Sequence, residues 1–463
     1  MDELPNRRGR KLVPIAGLLA AVLAGATTFV VAGSAIAQRG AESTGLLLEA
    51  THLPPLLTAP GELVELTFDA YCIDPEVDDA EQSCAIEGSL FLRTGTKGEF
   101  RKFVLEKIGH LGSRLSARVP EAIARSRTGF SYYAEIEAAS GTAAITLPAG
   151  GASAPHRSLP LENTIEVDLG THRFGEPSLP DERVAKAAWG TGPNDAGLEQ
   201  GRTLAPIGAS AFDVDPSGTV VLLDHAHRRL LRWRNGSALS TRVPVAIAGT
   251  LADMSLASDG TIYVLESVSR TGSRPLVRRF DTYGRELGST EIAERTSSQI
   301  RQGPAGALVL QQPSSQWMPV ASGGAPIGPE GQRQLGRSGR PLREGGEVIV
   351  LRRDNEIRVA LTARTGIRRS WRVTSDTALA EVQLAEPMGR QLVLVVRVFT
   401  EESDEFEALV LDDEGIVARF SVDDADWAEA APLGRFRLVG HSLYQLGSTP
   451  AGAFVDRFDL EVR

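Results

Sequence analysis

The chain has 463 residues, room for two or three domains at roughly 150 residues each. Apolar residues make up 42% and charged residues 23%, ordinary globular usage that excludes a chain disordered throughout. A formal charge of -10 excludes nucleic acid and an anionic membrane face as the main partner, and 47 glycines with 26 prolines suit a chain of many tight turns.

Residues 5–11 (PNRRGRK) form a basic cluster, and from Leu12 to Ala37 there is no charged residue. A basic start, an apolar stretch and the small-residue pattern Ala35-Ile36-Ala37 make an export signal with cleavage expected before Gln38. The rival reading is an uncleaved anchor. The apolar run would reach about 39 Å as a helix, enough for a bilayer core of about 30 Å. Both readings keep the arginines inside and place Gln38 onward outside the cytoplasm, at the periplasm, cell surface or beyond. Membrane contact would be confined to residues 12–37. Cys72 and Cys84 are the only cysteines, and an even count in an oxidising compartment predicts a disulfide.

From 42 to 149 short alternating segments (LVELTFDAYC, SLFLRT, FRKFVLEKI, RLSARVP, SYYAEIEA, TAAITLP) are separated by turn formers. Their spacing predicts a small antiparallel β-sandwich. Gly129, Tyr132, Tyr133, Gly141 and Pro148 resemble the closing strands of fibronectin type III and immunoglobulin-like modules, a resemblance that speaks to fold alone. Residues 150–180, rich in Gly, Pro and Ser at their start, are expected to be a linker.

From 181 to 463 a strand-turn-strand unit recurs about every 40–50 residues, the period of propeller blades. Its turns fall at Gly218, Gly260, Gly306, Gly346, Gly389 and His441. Six turns predict an all-β, six-bladed β-propeller, with seven left open. The last unit shows three strands, so its fourth is expected from ERVAKAAW (182–189), which would latch the ring. The first unit resembles an NHL repeat through Trp189, Gly190, Gly192, Asp215, Pro216, Gly218, Asp224, Arg229 and Leu230, with His227 where that family usually has Asn. The resemblance implies a propeller whose Asp224, His227 and Arg229 hold a structural turn. Its members include binding platforms and a few lyases and lactonase-like hydrolases.

A propeller enzyme would gather its site in the central channel, and a metal there needs carboxylate or His ligands from several blades. The inner strands offer Asp213, Asp253, Glu344, Glu381 and His441. A second acidic group, Asp74, Glu76, Asp78 and Asp79 between the cysteines, has the oxygen donors of a calcium loop without EF-hand order. Ca²⁺ or Zn²⁺ are the metals these sets would take, and no cofactor is required by any motif. Trp317, in the loop-like QQPSSQWMP, is the expected exposed contact. These features predict an exported binding or scaffold protein that presents a propeller face to a protein or envelope glycan. The alternative is an extracytoplasmic metal-dependent hydrolase or lyase.

Overall fold

The computed structural model describes residues 46–461, apart from 60, 74–83, 109–113, 142, 201–204, 235–236, 238–239, 249–250, 267–274, 295–296, 312–313, 344, 364–365 and 432. The export or anchor segment and the acidic loop with Asp74, Glu76, Asp78 and Asp79 therefore lie outside the described residues, as does Glu344. No helix among the described residues is long and apolar enough to cross a membrane.

The first unit is a two-sheet sandwich. Its strands are β1 (Leu47–His52), β2 (Leu57–Thr58), β3 (Glu65–Ile73), β4 (Ile86–Thr94), β5 (Arg101–Val104), β6 (Glu106–Ile108), β7 (Arg114–Arg118), β8 (Phe130–Ala138), β9 (Ala144–Leu147) and β10 (His156–Pro160). One sheet runs β1-β3-β7-β6 and the other β2-β10-β8-β4-β5, with β9 on β8. In β3 the period-2 pattern sends Leu66, Phe68, Ala70 and Cys72 inward, where they meet Leu90, Leu92, Tyr132 and Ile136 of the opposite sheet. The predicted Cys72–Cys84 disulfide is present, with Cα atoms 5.2 Å apart, and joins the end of β3 to the approach to β4. Such a bridge belongs to an oxidising environment.

The second unit is a six-bladed β-propeller. Blade 1 comprises Ala211–Val214, Val220–Asp224, Arg229–Trp233 and Thr241–Pro244; blade 2 comprises Asp253–Leu256, Ile262–Glu266, Leu276–Phe280 and Glu286–Glu291. Blade 3 has Ser297–Gln302, Ala307–Gln311 and Gln316–Pro319, followed by a small hairpin and a short helix (Pro329–Gln334) where other blades have a fourth strand. Blade 4 has Arg340–Pro341, Glu347–Arg353, Glu356–Ala363 and Gly366–Thr374; blade 5 has Ala378–Met388, Gln391–Phe399, Asp404–Leu411 and Ile416–Asp423. Blade 6 has Phe436–Val439, Ser442–Thr449 and Gly452–Asp459, and β12 (Glu182–Ala188) completes it by pairing antiparallel with Gly452–Asp459. The expected latch is thus the observed one.

Each blade buries both faces against its neighbours, so its middle strands read as continuous apolar runs. Val220–Asp224 and Ile262–Glu266 are buried at every position. The turn between the first two strands of blade 4 shows why glycine marks the repeat: Gly346 has φ +84°, and a Cβ there would sit 1.8 Å from the Thr362 carbonyl oxygen.

Residues 150–180, expected as a linker, are built into both units. β10 pairs with β8, and β11 (Ile165–Asp168) adds in parallel to the Gly366–Thr374 strand of blade 4. The chain then straps across blade 5, where Ser178 N–H donates to the Ser421 carbonyl at 2.9 Å, before becoming β12. Midway His172 is buried between Glu407 (2.6 Å) and Glu405 (2.9 Å). The composition misled because its Gly and Pro serve close packing: a Cβ on Gly150 would lie 2.2 Å from the Arg333 carbonyl oxygen.

The sandwich is docked rather than tethered. Leu56, Leu57, Leu159 and Leu161 form one buried cluster with Ile349 and Ala360 of blade 4. Arg358, itself buried, donates to the Leu57 carbonyl (2.8 Å) and to Glu62 (2.7 Å). Burial opposes ionisation of Glu62, yet the Ala59 N–H and the Arg358 and Arg353 guanidiniums hold its carboxyl below the usual range. Gln316 Nε2 donates to the Ala154 carbonyl at 3.1 Å and Arg157 N–H to Ser338 Oγ at 3.0 Å, so the sandwich reaches across the seam between blades 3 and 4.

Candidate functional site

The inner strands bring carboxylates and guanidiniums together at the propeller axis. Asp253, first residue of the inner strand of blade 2, is buried, and both its oxygens are occupied. One accepts from Met254 N–H (2.9 Å) and Arg437 (3.0 Å), the other from Ile300 N–H (2.9 Å) and Arg301 (2.8 Å). Asp213 of blade 1 accepts from Val214 N–H (2.9 Å) and Leu256 N–H (2.7 Å), with Arg437 Nε at 3.5 Å. Each aspartate therefore staples its own strand to the inner strand of the next blade. Burial raises the Asp213 carboxyl against the pull of Arg437. Burial and the nearby Arg437 lower Arg301 to about 10.

The arginines are tied to backbone as well. Arg301 donates to the Ile300 (2.6 Å) and Leu433 (2.7 Å) carbonyls, and Arg437 to those of Phe436 (2.9 Å) and Met254 (3.1 Å). From blade 4 Arg340 pairs with Glu386 of blade 5 at 2.5 Å. An ionised carboxylate offers about four lone-pair positions, and Asp253 has spent four on hydrogen bonds. The network neutralises itself and fixes the inner strands; it offers neither an unpaired base nor a free metal donor at Asp253.

The expected channel set is not assembled. Among its described members, Asp213 and Asp253 share a neighbourhood through Arg437. Glu381 is 53% exposed and pairs with Arg397 at 3.5 Å. His441 lies in the turn after the inner strand of blade 6, more than half exposed, 2.6 Å from Glu461. Glu381 sits in the irregularity of the ladder between Leu379 and Val382, which leaves it exposed, and the sixth turn closes at Gly440 (φ +61°), leaving His441 outside the strand that would aim it inward. No group of three or more His, Cys, Asp or Glu among the described residues is arranged to hold a metal.

Asp224, His227 and Arg229 do form one constellation, at the turn between the second and third strands of blade 1. The fully buried Asp224 carboxylate accepts from Arg229 Nε (2.9 Å), His227 Nδ1 (2.8 Å) and Gly197 N–H (3.1 Å). Arg229 continues to the Gly192 carbonyl at 3.1 Å and to that of Asp195. Every partner is a group that holds the long 189–210 connection against the blade, so the arrangement is a clamp.

The tryptophans divide differently from expectation. Trp317 is half-buried on the third strand of blade 3, paired with Leu310 and lying 5.8 Å from the Arg340 guanidinium, so it is a strand residue and not a loop contact. Trp371 and Trp233 are buried. Trp427, on the connection between blades 5 and 6, is 37% exposed. Its ring lies 6.1 Å from that of Trp189, whose Nε1 donates to the Thr449 carbonyl at 2.8 Å. Beside this pair Trp189, Gly208, Ala428, Arg435 and Ser448 line a small depression. Asp424, Asp426 and Glu429 flank Trp427 in sequence. Burial, with help from Asp426 and Asp423, raises Asp424 to about 7. Burial first, then Asp426, raises Glu429, and Arg435 donates to the Asp424 carbonyl oxygen at 2.8 Å. The sequence signal for this patch was Asp423-Asp424-Ala425-Asp426-Trp427, in which a large aromatic interrupts a carboxylate run.

No protein-family model and no curated protein matches the chain. Among solved structures it is similar to the hydrazine synthase of Kuenenia stuttgartiensis (13% identity, 54% of this chain and 80% of that one, TM-score 0.35). It is also similar to virginiamycin B lyase from Staphylococcus aureus (10% identity, 54% and 94%, TM-score 0.32). A third is the calcium-binding protein regucalcin from Agrobacterium tumefaciens (10% identity, 54% and 89%, TM-score 0.24). At these scores the likenesses carry no argument about activity. The propeller rests on the strand pairing itself.

Proposed function

We propose that the protein is an exported binding module that takes an envelope glycan on the propeller face around Trp427 and Trp189. The observation that carries this reading is the exposed Trp427 ring beside a second indole, with Asp424, Asp426 and Glu429 close in the chain. An aromatic face stacks on the C–H surface of a sugar, and carboxylates accept from its hydroxyls. The self-paired aspartates of the axis support binding over channel chemistry. Export follows from the uncharged 12–37 stretch and the disulfide, with that stretch either removed or retained as an anchor. Blade 1, with its Asp215 turn and Asp224–Arg229 clamp, reads as an NHL-type unit, and the sandwich as an immunoglobulin- or fibronectin-like module.

The test is a glycan array with cell-wall sedimentation, using residues 38–463 and the variant Trp427→Ala. Glycan retention by the parent, reduced at least tenfold in the variant at unchanged thermal stability, is expected. Equal retention by both, or no glycan retained while a protein partner is captured through this same face, overturns it.

A further inference from the structure

Among the described residues of the sandwich, two buried histidines have no charged hydrogen-bond partner. His52 at the end of β1 comes from one sheet; Tyr132 on β8 and His156 at the start of β10 come from the other. His52 stacks on Phe68 with ring centroids 4.2 Å apart and lies 5.6 Å from both Tyr132 and His156. Its Nδ1 is 2.7 Å from the Thr67 carbonyl, which can only accept, so Nδ1 carries the proton and bare Nε2 accepts from the Tyr132 hydroxyl at 2.6 Å. His156 is wholly buried, and neither ring nitrogen has a hydrogen-bond partner among the described residues. This geometry accommodates two neutral rings. A proton added to His52 would go on Nε2 and displace the Tyr132 hydroxyl hydrogen from its acceptor, and one added to His156 would find no acceptor among the described residues.

Among the described residues, the titratable groups beside the pair are Tyr132 from β8 and Asp69 from β3, which is itself committed to Arg114 of β7 at 2.7 Å, and His52 acts on His156. Burial lowers His52 to about 4 despite help from the Thr67 carbonyl and Asp69; burial and then His52 lower His156.

The location gives these rings a consequence for the docked interface. His156 opens the strand whose Leu159 lies in the cluster with Ile349 and Ala360, and whose Arg157 N–H is bonded to Ser338 beyond the sandwich. One short strand thus has its first ring in the sandwich core and its later residues on the propeller. We propose that the His52–His156 pair is an acid-sensitive latch: protonation in mildly acidic surroundings frees β10 and releases the sandwich from the seam between blades 3 and 4.

The direction follows from linkage. A base lowered in the docked state takes up its proton more readily once released, so docking is fully supported above the ordinary value of 6.5. That support is lost as pH falls from there towards about 4. Between pH 7 and pH 5 His52 alone should raise the opening equilibrium about 20-fold. Glu62, held below the usual carboxylate range, keeps its charge at pH 5, so its pair with Arg358 does not contribute.

The experiment is hydrogen exchange, corrected for intrinsic rates, on residues 38–463 at pH 7 and pH 5, with small-angle scattering at each pH. We expect β10 to lose protection at least tenfold at pH 5 while Ile262–Glu266 of blade 2 keeps its own, and the radius of gyration to rise. In the double variant His52→Gln, His156→Phe the change should fall below threefold. Unchanged β10 protection in the parent overturns the proposal whether or not the variant folds. So does a loss of protection without expansion, or an equal loss in a folded double variant.

Discussion

Asp253 and Arg301 meet across the boundary between blades 2 and 3, 2.8 Å apart and both buried. The pair does two things at once. It sets the register of two inner strands, because the same carboxylate oxygen also takes the Ile300 N–H, and it cancels charge at the axis. Arg437 brings blade 6 into the same carboxylate, so three blades share one acceptor.

Removing that acceptor's charge should therefore cost far more than a surface ion pair. Asp253→Asn leaves Arg301 and Arg437 buried without their shared counter-charge, and a loss of about 3–5 kcal/mol is expected. Urea unfolding of the parent and variant, followed by tryptophan fluorescence, measures it. A change under 1 kcal/mol would mean water enters the axis and solvates the arginines.

The same saturation predicts the metal content. After dialysis against metal-free buffer, residues 38–463 should retain well under one equivalent of calcium or zinc by elemental analysis. Retention of a full equivalent that survives Asp213→Asn with Asp253→Asn would place the ion elsewhere. Loss of that equivalent in the same variant would show the aspartates exchanging arginine for metal.

Ring closure can be tested at one atom. Gly452 has φ +155°, and a Cβ there would lie 2.1 Å from the Ala187 carbonyl oxygen of β12. Gly452→Val should pry β12 from blade 6 and expose the 182–200 stretch to proteolysis at temperatures where the parent resists. Gly389→Val, at a turn with open space and φ +60°, strains the backbone but leaves the latch closed. Its proteolysis pattern should match the parent's.

Asp424 gives a pH dependence of opposite sign to that of the histidine pair. Its folded value of about 7 exceeds the ordinary 3.8, so its contribution to stability is complete below 3.8 and is lost as pH rises towards 7. Asp424→Asn should raise Tm at pH 8 and leave it nearly unchanged at pH 4, as read by scanning calorimetry. Equal effects at both pH values would mean that the carboxyl is solvated and its burial counts for little.

What could be read from the sequence were features carried by neighbours in the chain. The turn glycines Gly218, Gly260, Gly346 and Gly389 all have positive φ, and the two ends of the Asp224–Arg229 clamp are five residues apart. The β12 latch was legible because a three-stranded last unit left one place to fill. The axial network was not, because Asp253 lies 184 residues from Arg437 and an arginine on an inner strand looks like any other alternating charge. Likewise Leu159 and Leu161 reveal nothing of Ile349 until the fold brings them together, so a stretch opening with Gly, Pro and Ser reads as a linker. Loop-like neighbours in the chain point to Trp317 and do not report which connection, here that of Trp427, stands proud of the ring.

The β12 latch also imposes an order of events on a newly made chain. Arg183 waits for Asp456, 273 residues further along, before its bidentate pair can form. Until Gly452–Asp459 emerges, the strap over blade 5 runs into a strand with no partner, and Ser442–Thr449 of blade 6 exposes the edge that Gly452–Asp459 will cover. The sandwich can reach its final sheets while the ring is open. The propeller cannot, and a contact this distant is slow to find. Truncation anywhere in blade 6 would therefore leave an adhesive edge at each side of the gap.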